Sequence, residues 1–181
     1  GSIGIGSSAL KALTSGAGNT AVGYLSGKSL TTADYNTFVG GNTGEWLAHD
    51  TANGNVAFGF NAMGGGDEST PAGNTASYNV AIGGNAVGGT TASTTTDLTA
   101  ANNIGIGWGS LATISTGSHN VAIGKDSANV MTIGTNNVAI GSGALDGVST
   151  GAINKNVAIG KDAMGGAIGT ESVANCVAIG A

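Results

Sequence analysis

Residues 120–124 read Asn120-Val121-Ala122-Ile123-Gly124, and the same five residues return as Asn137 to Gly141 and Asn156 to Gly160. Looser copies are Asn19-Thr20-Ala21-Val22-Gly23, Asn36-Thr37-Phe38-Val39-Gly40, Asn55-Val56-Ala57-Phe58-Gly59, Asn79-Val80-Ala81-Ile82-Gly83 and Asn103-Ile104-Gly105-Ile106-Gly107. Ser2 to Gly6 and Cys176 to Gly180 keep the pattern but replace its Asn. The motif glycines are spaced by 17, 17, 19, 24, 24, 17, 17, 19 and 20 residues. The run 17, 17, 19 occurs twice, and sliding residues 2–65 onto 103–166 matches about a third of the positions without a gap. The array therefore reads as one continuous domain that grew by duplicating a block of repeats.

Each copy predicts a short strand, because β-branched residues occupy its second and fourth positions. Side chains alternate between faces, so Val80 and Ile82 share one face, Asn79 and Ala81 the other. About 12 residues separate copies, too few for a helical crossover with turns, and they are rich in the turn formers Gly, Thr, Ser and Asn. Identical strands returning every 17–24 residues predict an all-β, parallel β-solenoid of about ten coils. At about 4.8 Å per coil it is a rod of roughly 45–50 Å.

Each motif position then has a physical task. The Val/Ile row is expected to form an apolar spine, and the small Ala row admits a close backbone. The motif Gly suits a sharp corner or a positive φ. The Asn row is expected to form a ladder in which each amide bonds the next coil's. Thr14-Ser15-Gly16, Thr116-Gly117 and Thr150-Gly151 mark a second corner. Apolar pairs three residues after the motif Gly, such as Ala62-Met63, Ala86-Val87 and Ala144-Leu145, are expected to be the inward side of a second short strand. A single thin coil is a poor monomer, since ordering each residue costs about 1–2 kcal/mol. The Ala and Val/Ile rows are thus expected to face two buried surfaces, one inside the coil and one against sister chains.

Composition excludes several functions. Five Lys plus Arg against ten Asp plus Glu leave no basic patch for nucleic acid. A lone Cys176 makes no disulfide framework. Apolar runs are broken by Gly, Asn and Thr before the ~20 residues of a membrane helix. No basic-then-apolar signal segment opens the chain. A chain 40% apolar and 8% charged is not built like a disordered tail either.

Candidate chemistry is sparse. His49 and His119 are separate loop residues, and Cys176 fills the Asn slot of the last repeat. Gly64-Gly65-Gly66-Asp67-Glu68 resembles a calcium-binding turn but occurs once, whereas a calcium solenoid repeats its Asp in every coil. Lys125-Asp126 and Lys161-Asp162 read as solvated corners. No cofactor and no enzyme are implied, since no carboxylate pair recurs. Tyr24, Phe60 and Trp108 directly follow a motif Gly, and Trp46 lies in an irregular coil. These four are candidate glycan contacts; the alternative is that they cover a corner. The insertions at 64–78 and 88–102, the second with Thr90 to Thr96, are the long loops of the scaffold.

The Asn-Val-Ala-Ile-Gly copies, with a trailing Ala and Thr-Gly turns, resemble the head repeats of trimeric autotransporter adhesins. The form visible in Gly16 to Gly23 and in Gly134 to Leu145 is still more similar to repeats of bacteriophage tail fibres. The resemblance covers essentially the whole chain. It implies a left-handed parallel β-roll, a homotrimer and surface attachment, with an extracellular or virion-surface location; it maps no binding residue. The expected function is a stiff structural fibre segment, with a filament built by end-to-end stacking as the alternative. An ice-binding solenoid would need Thr in one register, which this chain lacks.

Overall fold

The computed structural model describes residues 1–47, 51–65, 73–88, 97–147, 153–166 and 172–180. Ten three-residue strands form one sheet: β1 (Ile3–Ile5), β2 (Thr20–Val22), β3 (Thr37–Val39), β4 (Val56–Phe58), β5 (Val80–Ile82), β6 (Ile104–Ile106), β7 (Val121–Ile123), β8 (Val138–Ile140), β10 (Val157–Ile159) and β12 (Val177–Ile179). Each pairs in parallel with the next, motif position on motif position, as in Val121↔Val138, Ala122↔Ala139 and Ile123↔Ile140. A second ladder, of β9 (Ile153–Asn154) and β11 (Val173–Ala174), continues the bridges Ser77↔Ala101↔Ser118↔Thr135↔Asn154. The chain is a parallel β-solenoid. The residues that open β1–β4 (Ile3, Thr20, Thr37, Val56) and those 101 positions further on (Ile104, Val121, Val138, Val157) all open strands of this one sheet.

The middle residue of the strand faces inward: Ala21, Phe38, Ala57, Ala81, Ala122, Ala139 and Ala158 are fully or almost fully buried. The Val/Ile rows face outward, so the apolar spine lies on the outside of the coil. The interior is filled instead from the other walls, by Leu30, Leu47, Leu98, Ile114, Met131 and Ile153. A small residue in the strand leaves room for these long ones at native packing density.

The apolar pairs after the motif Gly do point inward, but as turns rather than as a strand. The second member of each is left-handed: Met63, Val87, Leu111 and Leu145 have φ of 51, 49, 52 and 57°. Such φ values are costly for residues with a Cβ, most of all for β-branched Val87. The rung-to-rung backbone bonds, as from Met63 N–H to Ala86 O at 3.0 Å and Val87 N–H to Ser110 O at 2.8 Å, hold them there.

In this inward turn column Gly27 and Gly44 replace the long side chain, and Phe38 replaces the strand Ala. A Cβ at Gly44 would lie 2.6 Å from Phe38 Cε2, and one at Gly27 3.2 Å from Phe38 Cδ2. One ring thus occupies the volume that two side chains vacate. Phe38→Ala is expected to cost about 3–5 kcal/mol through the cavity. Adding Gly44→Leu, at a φ of 60° that Leu111 nearly matches, is expected to restore part of it; chemical denaturation of both variants checks this.

The expected Asn ladder is present. Asn19, Asn36, Asn55, Asn79, Asn103, Asn120, Asn137 and Asn156 stack, each Nδ2 from Asn36 on donating to the preceding Oδ1 at 2.9–3.2 Å. Each of these Oδ1 atoms up to Asn137 also accepts the next Asn's backbone N–H at 3.0–3.1 Å. Nδ2 also spans the corner, to Ala33 O, Ala100 O, Gly117 O and Gly134 O at 2.7–3.0 Å. At the ends Ser2 Oγ accepts Asn19 N–H at 3.1 Å and donates to Gly16 O at 3.2 Å, while Cys176 donates its N–H to Asn156 Oδ1 at 2.9 Å and turns its Sγ to Ala174 O at 3.6 Å.

Candidate functional site

The outer face of the ten-stranded sheet carries two apolar columns. Phe58, Ile82, Ile104, Ile123 and Ile159 are 36–41% exposed there. Val56, Val80, Val121, Val138 and Val157 accompany them, and Thr20 and Thr37 are the polar members of the ten rungs. No strand residue on this face is charged. The motif glycines turn the chain away at its edge: Gly23, Gly40, Gly59, Gly83, Gly107, Gly124, Gly141 and Gly160 have φ of 126–140°.

A corner flanks the face on each side. The outgoing corner, just after the motif Gly, stacks Ser7, Tyr24, Gly41, Phe60, Gly84, Trp108, Lys125, Ser142 and Lys161 in one column. The register is set by backbone bonds such as Asn42 N–H to Tyr24 O at 2.8 Å, Asn61 N–H to Gly41 O at 2.9 Å, Asn85 N–H to Phe60 O at 3.0 Å and Gly109 N–H to Gly84 O at 3.0 Å. Three of the four aromatic residues singled out from sequence thus share a column, on every second rung. Trp46 is elsewhere: half-buried, its ring lies 4.1 Å from Lys28 Nζ, which also pairs with Glu45 at 3.3 Å.

Two further rings went unnoticed in the sequence. The incoming corner stacks Gly18, Tyr35, Gly54, Tyr78, Asn102, His119, Asn136 and Lys155, all left-handed at φ of 57–68°. Tyr35 and Tyr78 are 71% and 63% exposed and again occupy alternate rungs. A Cβ at Gly18 or Gly54 would lie 2.7 Å from Cδ1 of the next rung's tyrosine, so each ring rests on the preceding glycine. The available signal was a Tyr directly before the motif Asn.

Past Trp108 the corners become ionic. Lys125 pairs with Asp126, and Lys161 with Asp162 at 2.6 Å. The hydrogen bond and charge of each Asp raise its lysine above the usual value. Asp146 is pushed above the usual carboxylate range, first by burial, then by the Asp126 charge. The fold therefore holds the Asp146 proton more tightly than the unfolded chain does, and this group favours the fold more as pH falls through the carboxylate range.

Among the described residues no three His, Cys, Asp or Glu side chains cluster to hold a metal, and no helix is long and apolar enough to cross a membrane. His49, Asp67, Glu68, Thr90 to Thr96 and Thr150-Gly151 lie outside the described residues, as do 66–72 and 89–96 of the two insertions. Cys176 is exposed and unpaired with another cysteine.

A scan against protein-family models, a search of curated proteins and a search of solved structures each returned no match. The site is therefore read from its geometry: an uncharged apolar face, edged by exposed rings over β2–β6 and by charged and polar corners beyond.

Proposed function

We propose that the chain is a non-enzymatic segment of a stiff extracellular or virion-surface fibre, a phage tail fibre or surface adhesin, in which the outer sheet face packs against further copies of the chain. One observation carries this reading: the uncovered outer face of a long parallel sheet. Parallel sheets are ordinarily covered on both faces, and here one face is the solenoid's own core. Five residues from corner to corner span about 16 Å, and ten rungs about 45 Å. The face is then on the order of 700 Å² per chain, which a trimer divides between two neighbours, so that each contact is smaller than the ~800 Å² per partner of a standard interface and is repeated around the axis. Its lack of charge suits an identical surface, and three chains are the number the repeat resemblance implies. Stiffness follows from the ladder, since from the second rung on each rung is bonded to the next through backbone and Asn side chain alike.

Light scattering on the purified chain is expected to give about three times the 17.1 kDa chain mass. The pair Ile82→Lys and Ile123→Lys, on the exposed face, is expected to give a folded monomer with an unchanged β circular-dichroism spectrum. A folded wild-type monomer overturns the reading. Long filaments in electron micrographs would favour end-to-end stacking instead.

A further inference from the structure

We propose that the outgoing corner from Tyr24 to Trp108 is a binding strip for a neutral, extended polysaccharide of β-linked pyranoses lying along the rod. Four observations converge on it. Tyr24, Phe60 and Trp108 stand on alternate rungs of one column, about 9.6 Å apart at the spacing of parallel strands. Each is exposed, by 59%, 61% and 54%. The intervening positions are Gly41 and Gly84, against which the following ring rests: a Cβ at Gly84 would lie 2.6 Å from Trp108 Cε3, and one at Gly41 3.6 Å from Phe60 Cδ2. One side of the ring is thus supported by backbone, and another remains open to a ligand.

The next column supplies polar atoms of the complementary kind. Asn42, Asn61 and Asn85 follow directly, each left-handed at φ of 55–57°, with Asn61 Nδ2 donating to Asn85 Oδ1 at 2.9 Å. Amides carry both donors and acceptors, as a row of sugar hydroxyls requires. A β-linked chain of equatorially substituted pyranoses flips at each linkage, so it offers the same apolar C–H face every second sugar, matching a ring on every second rung. No charged residue lies in either column from Tyr24 to Gly109, which favours a neutral chain over an anionic one.

The duplication provides an internal control. The 101-residue offset places Lys125 where Tyr24 stands and Lys161 where Phe60 stands. Both halves build the same sheet, so the corner does not need rings to fold. The strip lies beside the sheet face, and the inference does not rest on that face meeting sister chains.

The test is a fluorescence titration of Trp46→Phe protein, whose one remaining indole is Trp108, with cellohexaose, chitohexaose, cellobiose and, as a curved α-linked control, maltohexaose. The expected result is saturable binding of a β-linked hexaose at least about tenfold tighter than cellobiose, and a further weakening of about tenfold in Phe60→Ala. Tyr35→Ala, on the opposite corner, is expected to leave that affinity unchanged. Absence of saturable binding by either β-linked hexaose overturns the proposal, as does an affinity that Phe60→Ala does not alter. Light scattering on the same variants separates the remaining case. A Phe60→Ala protein of reduced mass would assign the ring to the contact between chains, and would overturn the strip.

Discussion

Asn120→Ala is expected to lower stability by about 3–5 kcal/mol, far more than one hydrogen bond is worth. The side chain works on three walls at once. Its Oδ1 accepts Asn137 N–H at 3.0 Å and Asn137 Nδ2 at 2.9 Å, and its Nδ2 donates to Asn103 Oδ1 at 3.0 Å and Gly134 O at 2.7 Å. Alanine leaves the buried Asn137 N–H and Gly134 O without these partners, in a place that water does not reach. Each buried orphan costs about 1–3 kcal/mol. Asn120→Ser is expected to lose less, because Ser2 already performs both tasks at the first rung. Asn120→Asp is expected to be the worst of the three at neutral pH, since a buried carboxylate would face Asn103 Oδ1 and Gly134 O, two acceptors. Thermal unfolding followed by circular dichroism ranks the series; an Asn120→Ala protein as stable as the wild type would show that the ladder is dispensable.

The second large effect is expected for Gly124→Ala, of about 3 kcal/mol or more. Two costs coincide there. The φ of 133° lies outside the region that residues with a Cβ occupy. The new methyl would also meet Gly141 C and O at 2.6 Å, backbone atoms that cannot move without shifting the next rung. Gly180→Ala separates the terms: its φ is 124°, but nothing lies within 4 Å of an added Cβ. A much smaller loss at Gly180 than at Gly124, read from urea denaturation, would show that rung-to-rung contact is the larger cost. Equal losses would assign it to backbone strain.

The parallel in-register sheet was legible because its signal is redundant. Eight copies of an Asn-to-Gly motif, all too closely spaced for a helix to intervene, leave stacking as the way to pair them. The Asn and Gly tasks were legible for the same reason, since a residue that recurs in every rung meets itself in the next. The facing of the rows was not. Val/Ile and Ala are both apolar, and period two tells only that they oppose each other. What places Ala81 inside and Ile82 outside is volume: the interior receives long side chains such as Leu98, Leu111 and Ile114, and the strand wall can contribute only a small group. The left-handed turns at Met63, Val87 and Leu145 were equally hidden, because local preference argues against them and only bonds from the neighbouring rung hold them.

The aromatic strip shows where sequence distance misleads. Tyr24 and Phe60 are 36 residues apart, and Phe60 and Trp108 are 48. In the fold both intervals are two rungs, because the longer coils keep the strand register from β4 to β5 and from β5 to β6. The sequence by itself determined the repeat, the parallel stacking, the amide ladder and the glycine corners, all of which depend on a residue meeting its own copy. Only the tertiary structure decided which apolar row is core, how Phe38 shares space with Gly27 and Gly44, and that rings unevenly spaced along the chain stand evenly along the rod. Those outcomes depend on the distance between walls and on which residues share a rung, and neither is a property of local sequence.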